Sequence, residues 1–137
     1  MCASIPQDWE APSENLWQNL DWEPSSSQIL QFLTLQKLLI DFNKKINLTR
    51  LLNADDYWIG QVLDSLWPLK KELQDPTREL NCIDIGTGCG FPGLAIAIAL
   101  PNIKMTLVDA ISKKTNAVRE ITTELGLQSR VIIRTER

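Results

Sequence analysis

Apolar positions follow a helical period in the first half of the chain and gather into short runs in the second. Ile29, Phe32, Leu33, Leu35, Leu39 and Phe42 recur every three or four residues, which predicts an amphipathic helix over 28–44 with Ser27 as its N-cap. The polar break "NKKINLTRLLNADDYW" follows, and 54–73 reads as one or two shorter helices interrupted at Pro68. From residue 80 the pattern changes. "LNCIDI" (80–85) reads as a buried strand, and glycines follow it directly. "GLAIAIAL" alternates large and small residues as a strand does. Its alanines, and its place after a strand and a glycine turn, predict instead a buried helix ending at Pro101, with Pro92 suited to the first turn.

"IKMTLV" (103–108) reads as a second strand closed by Asp109, "KKTNAVREITTELGL" (113–127) as a helix with Gly126 near its end, and "RVIIR" (130–134) as the start of a third strand. The order β-α-β-α-β predicts an α/β fold whose parallel sheet is joined by right-handed crossovers. Three parts result: an acidic arm (1–27) rich in Pro, Ser and Trp, a helical region (28–78), and the strand-containing part (79–137).

Composition narrows the chemistry. At 137 residues and 44% hydrophobic, the chain has the size and apolar content of one ordinary domain. The opening residues lack a signal-peptide pattern and no apolar stretch is long enough to span a membrane, so a cytoplasmic protein with no membrane partner is expected. Cys2, Cys82 and Cys89 form no C-x-x-C pair, and neither a disulfide framework nor a metal site is expected. There is no histidine. That excludes Ser–His and Cys–His nucleophile pairs and leaves Cys89 with no histidine to activate it.

The net charge of −3 conceals a division. Residues 1–30 carry five acids and no Lys or Arg, so the remainder holds 14 basic residues against 12 acids. The basic residues gather at Lys44, Lys45 and Arg50, at Lys113, Lys114 and Arg119, and at Arg130, Arg134 and Arg137. Such clusters are either solvated faces or phosphate contacts.

The densest signal is "IDIGTGCGFPG", where Gly86, Gly88 and Gly90 follow a strand at single-residue spacing. A strand, a glycine turn and a helix, with an acid at the end of the next strand, is nucleoside-cofactor geometry. Asp109 lies 19 residues beyond Gly90, the place of an acid that accepts hydrogen bonds from ribose hydroxyls. Counted from Gly86, the third glycine of a dinucleotide fingerprint falls on Phe91, so the spacing is expected to suit an adenosine without a pyrophosphate. That describes S-adenosylmethionine.

These residues, with Asn47-Leu48-Thr49, Leu63-Asp64-Ser65, the Gly90–Gly93 segment and the acid and lysine pair of Asp109 to Lys114, resemble the ribosomal small-subunit RNA methyltransferase G family, also called glucose-inhibited division protein B. The resemblance runs from about Leu16 to the last residue. It implies a class I S-adenosylmethionine-dependent methyltransferase domain, Rossmann-like, behind a helical N-terminal region, with 79–137 as its first part. It also implies methyl transfer to guanine N7 in 16S ribosomal RNA, with that RNA or the small ribosomal particle as partner and a monomeric enzyme. By position, Gly86 and Phe91 would contact the cofactor, Gly88 and Gly90 would shape the loop, and Asp109 would bind the ribose. Ala110 and Ile111 would lie beside the adenine, with Thr135 and Glu136 closing over it. No catalytic residue is assigned, because N7 of guanine carries a free lone pair and needs no deprotonation.

Two departures accompany the resemblance. Gln61 stands where the family usually has histidine, and the chain stops just after the third strand where family members continue. The sheet is therefore expected to be incomplete. Its third strand should end beside an unpaired edge, and the chain alone should be inactive and poorly cooperative in melting. Two alternatives stand beside this reading: another Rossmann-like enzyme, such as a small-molecule methyltransferase or nicotinamide oxidoreductase, and a non-catalytic RNA- or protein-binding fragment.

Overall fold

The computed structural model describes Pro12, residues 15–50 and residues 52–137. Cys2, Trp9 and the first three acids of the arm lie outside the described residues. Within the arm, α1 (Asn15–Asn19) places Leu16 and Leu20 in the core, while Trp17 stacks on Phe32 and meets Trp22 and Trp58 edge-on.

The long helix is α2 (Ser26–Asn43), with Phe32, Leu33, Leu35 and Leu39 buried as their spacing predicts. Its N-cap is Ser25 rather than Ser27. The Ser25 hydroxyl accepts from the Gln28 N–H, and the Gln28 side chain accepts from the Ser25 N–H, a reciprocal pair that Ser27 could not form with this helix start. After the break, α3 (Ala54–Tyr57) runs without interruption into a wider π-helical turn (Trp58–Leu63), then α4 (Asp64–Leu66) and a 3-10 turn holding Pro68. Pro68 thus sits in the first turn of a tighter segment, where its missing N–H is tolerated.

Three strands follow: β1 (Asn81–Ile85), β2 (Lys104–Asp109) and β3 (Val131–Thr135), all parallel in the order β1-β2-β3. The crossovers are α5 (Gly93–Ala99) and α6 (Ser112–Glu124). Six of the seven α5 residues are buried, so the alternating large and small residues belong to a helix.

Both crossover helices pack on the same sheet face. Gly93 of α5 lies against Leu107, and Thr115 of α6 bonds the Thr135 hydroxyl on the strand that pairs with β2. This face carries Leu107, Met105 and Val131, all buried. The α2 helix packs on α5 and α6 as an outer layer. Its glutamines reach carbonyls at the ends of those helices: Gln28 donates to Ile98 and Ala99, and Gln31 to Leu125. Arg130 adds two more bonds, to the Ala97 and Leu100 carbonyls. Helix C-termini leave carbonyls without partners, and these side chains supply them.

The opposite face corrects the sequence reading. β1 was expected to be buried by its apolar content, yet Ile83 is 62% and Ile85 78% exposed, and Ile132 of β3 is 59% exposed. Apolar residues on both sides of a strand state a requirement for cover, not its presence. The outer edges of both β1 and β3 lack strand partners among the described residues.

Candidate cofactor site

The glycine loop leaves the carboxyl end of β1 and is held there by backbone. The N–H groups of Gly86 and Thr87 both donate to the Val108 carbonyl of β2, and the Gly90 N–H donates back to Thr87. Gly86, Gly88 and Gly90 have φ of 75°, 58° and 103°, a region that L side chains rarely adopt. Their surroundings differ. A Cβ on Gly86 or Gly88 would meet nothing within 4 Å, whereas one on Gly90 would come within 2.5 Å of Leu94. The first two glycines thus present bare backbone to open space, while Gly90 lets the chain turn tightly onto α5.

Asp109 ends β2 beside this loop. One carboxylate oxygen accepts from the Gly88 N–H at 2.9 Å and the other from the Ile111 N–H at 3.0 Å. The Ile111 N–H leads in holding this carboxyl below its ordinary pKa, with the Gly88 N–H and the Lys114 charge acting in the same sense. Ala110 and Ile111 are exposed immediately after it. At the end of β3, Thr135 is in register with Asp109, and the Glu136 N–H donates to the Asp109 carbonyl. Gly86, Gly88, Asp109, Ala110, Ile111, Thr135 and Glu136 therefore gather at the carboxyl ends of three adjacent strands, the side on which open α/β sheets bind ligands. A hollow of about 760 Å³ among Trp22, Gln28, Ile98 and Arg130 lies at the opposite, amino-terminal end of the strands.

Phe91 is placed differently. Its ring is half-buried and meets Tyr57 of α3 edge-on at 6.2 Å, so it ties the glycine loop to the helical region. Tyr57 is in turn fixed by its hydroxyl, which donates to the Phe32 carbonyl of α2. Asn47-Leu48-Thr49 approaches from the same side. The Asn43 side chain accepts from the Leu48 and Thr49 N–H groups, and the Gln61 amide donates to the Thr49 hydroxyl at 2.9 Å. Ser65 of the Leu-Asp-Ser segment donates to the Gln61 carbonyl. Gln61 thus anchors a loop. Thr49 also bonds Cys89, whose thiol is pushed up chiefly by burial, a setting that favours the inert protonated form.

Two residues not assigned to the site from sequence also shape it. Asp84, on the covered face of β1, accepts from the Thr87 hydroxyl at 2.6 Å and the Gly93 N–H at 3.0 Å, tying both ends of the glycine loop together. Burial raises its carboxyl pKa. The signal was a single acid between two isoleucines in β1. Gly93 is the other: a Cβ there would lie 2.1 Å from Leu107, so it sets the close approach of α5 to the sheet. Gly88, Gly90 and Gly93 also spell G-x-G-x-x-G. Phe91 therefore does not exclude a dinucleotide fingerprint, since Gly93 fills the helix–sheet packing role of its third glycine.

Loop spacing alone does not separate the two ligand classes. The family model described as rRNA small subunit methyltransferase G matches residues 28–136. The chain belongs to that family. A ribosomal RNA small subunit methyltransferase G of Prochlorococcus marinus strain SARG is 58% identical over 122 residues, covering 89% of this chain and 48% of the relative. Proteins of the same name from Synechococcus sp. strains CC9902 and WH7803 are 56% and 54% identical, covering 92% and 93% of this chain and 52% and 50% of the relatives. The chain thus spans about half the length of these curated relatives. Among the described residues, no helix is long and apolar enough to cross a membrane.

Proposed function

We propose that this chain provides the cofactor-binding half of an S-adenosylmethionine-dependent methyltransferase that modifies guanine N7 in small-subunit ribosomal RNA. The observation that carries the reading is Asp109 facing the glycine loop across the carboxyl ends of β1 and β2. The residues fit such a cofactor. Gly86 and Gly88 leave room for an adenosine to approach backbone, and Asp109 is a charged acceptor for ribose hydroxyls. Ile111 offers an exposed apolar side chain for the adenine, and Thr135 and Glu136 bound the same space. When bound, S-adenosylmethionine supplies an electrophilic methyl group.

The protein's own task is then to bind and align. Guanine N7 is an acceptor with its lone pair in the base plane, so no side chain need remove a proton. Positioning alone is worth up to about 7–11 kcal/mol in well-oriented reactions, consistent with a chain that has no histidine. The enzyme is expected to be a cytoplasmic monomer acting on the RNA or the small ribosomal particle. Lys113, Lys114 and Arg119, on α6 beside the site, are the candidate phosphate contacts. Arg130 is better explained by its bonds to α5 carbonyls.

Calorimetry tests the cofactor. S-adenosylhomocysteine should bind with Asp109 intact and NAD should not compete; tighter NAD binding overturns the reading. Replacing Lys113, Lys114 and Arg119 should flatten the salt dependence of RNA binding, by about one unit of slope for each phosphate no longer neutralised, with cofactor affinity unchanged. An unchanged slope would make them a solvated face.

A further inference from the structure

Two of the basic clusters seen in the sequence converge in the fold. Helix α2 ends at Asn43, and Lys44, Lys45 and Arg50 stand exposed in the loop that follows. The same end of α2 lies beside α6, where Leu38 and Phe42 share a hollow with Asn116 and Arg119. The Lys114 charge reaches Cys89 of the glycine loop, and Thr49 bonds the same thiol. Asp41 pairs with Lys44 at 3.6 Å, while no ion pair holds Lys45 or Arg50 among the described residues. Residues 44–50 and 113–119 thus form a basic margin beside the cofactor site, the electrostatic footprint of a nucleic-acid contact.

A hollow of about 270 Å³ opens in this margin, lined by Asn43, Asn47, Leu48, Thr49 and Arg50. That is below the ~300–1,000 Å³ of pockets for drug-sized ligands and suits one planar group. Its wall is tied in place. The Asn43 Oδ1 accepts from the Leu48 and Thr49 N–H groups at 2.7 and 3.2 Å, Leu48 is buried, and Gln61 holds Thr49. Those two bonds also fix which way the Asn43 amide faces. Its oxygen must be the acceptor, so its NH2 is a donor that no flip of the amide can exchange. Neither this NH2 nor the Asn47 amide nor the Arg50 guanidinium has a hydrogen-bond partner among the described residues.

We propose that this hollow receives an unpaired guanine nucleotide of the RNA, with the Asn43 amide donating to O6, Asn47 meeting the same base edge and Arg50 meeting the phosphate. This rests on the reading of guanine N7 as the methyl acceptor. Proteins usually grip guanine with an arginine fork on O6 and N7. Here N7 must stay open toward the methyl group, so recognition has to come from the rest of the base. A donor locked toward O6 favours guanine, because adenine carries an amino donor at that place and two donors would then face each other. An unstacked base is also the form in which proteins read RNA sequence. The Thr49–Cys89 contact sets the hollow next to the glycine loop.

The test titrates the 137-residue chain with a short, uridine-rich, single-stranded RNA carrying one central guanosine, adenosine or 7-deazaguanosine, read by fluorescence anisotropy. Guanosine RNA should bind about three- to tenfold more tightly than adenosine RNA, the scale of one hydrogen bond against one unpaired donor. The 7-deazaguanosine RNA, which lacks N7, should match guanosine. Asn43→Asp keeps an acceptor for the Leu48 and Thr49 N–H groups and removes the donor, so the guanine preference should vanish or reverse. Arg50→Ala should weaken all three RNAs alike and lower the salt slope by about one unit. A 6-thioguanosine photo-crosslink on the unaltered chain reads the same contact without any substitution, and should map to residues 43–50. Equal affinity for guanosine and adenosine, a preference unchanged in Asn43→Asp, or weaker binding of 7-deazaguanosine overturns the proposal. RNA binding with crosslinks confined to α6 overturns the hollow and leaves the RNA reading in place. No binding of any of these RNAs overturns both.

Discussion

The two faces of the sheet have nearly the same chemistry and opposite fates. Leu107 and Met105 on one face are 0% and 3% exposed beneath α5 and α6; Ile83 and Ile85 on the other stand 62% and 78% exposed. An apolar side chain has the same tendency to leave water on either side of a strand. What separates them is the direction in which the crossovers step. The lesson is that apolar content reports what a strand needs, while chain path decides whether the need is met.

The comparison is most open to breaking by truncation on each side. Leu107→Ala should destabilise the fold by about 2–5 kcal/mol, because it leaves a cavity beneath α5, whereas Ile85→Ala should stay within about 0.5 kcal/mol. Chemical denaturation of the two variants measures the difference. Equal losses would mean that the second face is covered in solution.

Gly93→Ala probes the closeness of the covered face. The added methyl would sit 2.1 Å from Leu107 and 3.0 Å from an Asp84 oxygen, so α5 must lift or Leu107 must move. A loss of about 1–3 kcal/mol is expected from such overpacking. A neutral outcome would show that α5 is held less tightly than its burial implies.

Asp109→Ala carries the comparison to the strand ends, where both faces meet the site. Removing the acceptor should weaken S-adenosylhomocysteine binding by about 1–3 kcal/mol, the usual worth of a hydrogen bond to a charged group. Isothermal titration reads it directly, and an unchanged affinity would detach Asp109 from the ribose.

The smallest effect is the acid response. Asp109 titrates below its ordinary range in the folded chain, so its contribution is present above the usual carboxylate pKa and is lost as pH falls through the folded value. Asp84 is shifted the other way by burial, so protonation favours the fold and offsets part of that loss. Asp109→Asn should therefore make the loss of stability below about pH 5 shallower, and Asp84→Asn should make it steeper. Melting temperatures across about pH 3–7 check both signs.

Much of the fold was legible from local signals. The spacing of Phe32, Leu35 and Leu39 announces α2, and the glycine run after "CIDI" marks the β1 turn. Asp109 could be picked out by its distance from the glycines, and the structure sets it against Gly88. Other features have no local signature. The capping pair chose Ser25 over Ser27 among three consecutive serines, because only Gln28 three residues on could return the bond. The π-helical turn at Trp58–Leu63 shows no breaker residue in "WIGQVL" beyond one glycine. Gly93 stands out in sequence as the end of the Gly90–Gly93 segment, but its packing role shows only with Leu107 placed against it.

By itself the sequence determined the periods, the β-α-β-α-β order, the absence of imidazole and the acid opposite the glycine loop, because these depend on near neighbours and residue identity. Only the tertiary structure decided which side of each strand is covered, that Asp84 ties the ends of the glycine loop together, and that Phe91 faces Tyr57. Those depend on residues distant along the chain being brought together by strand order and crossover hand, which the residues of a single strand do not encode.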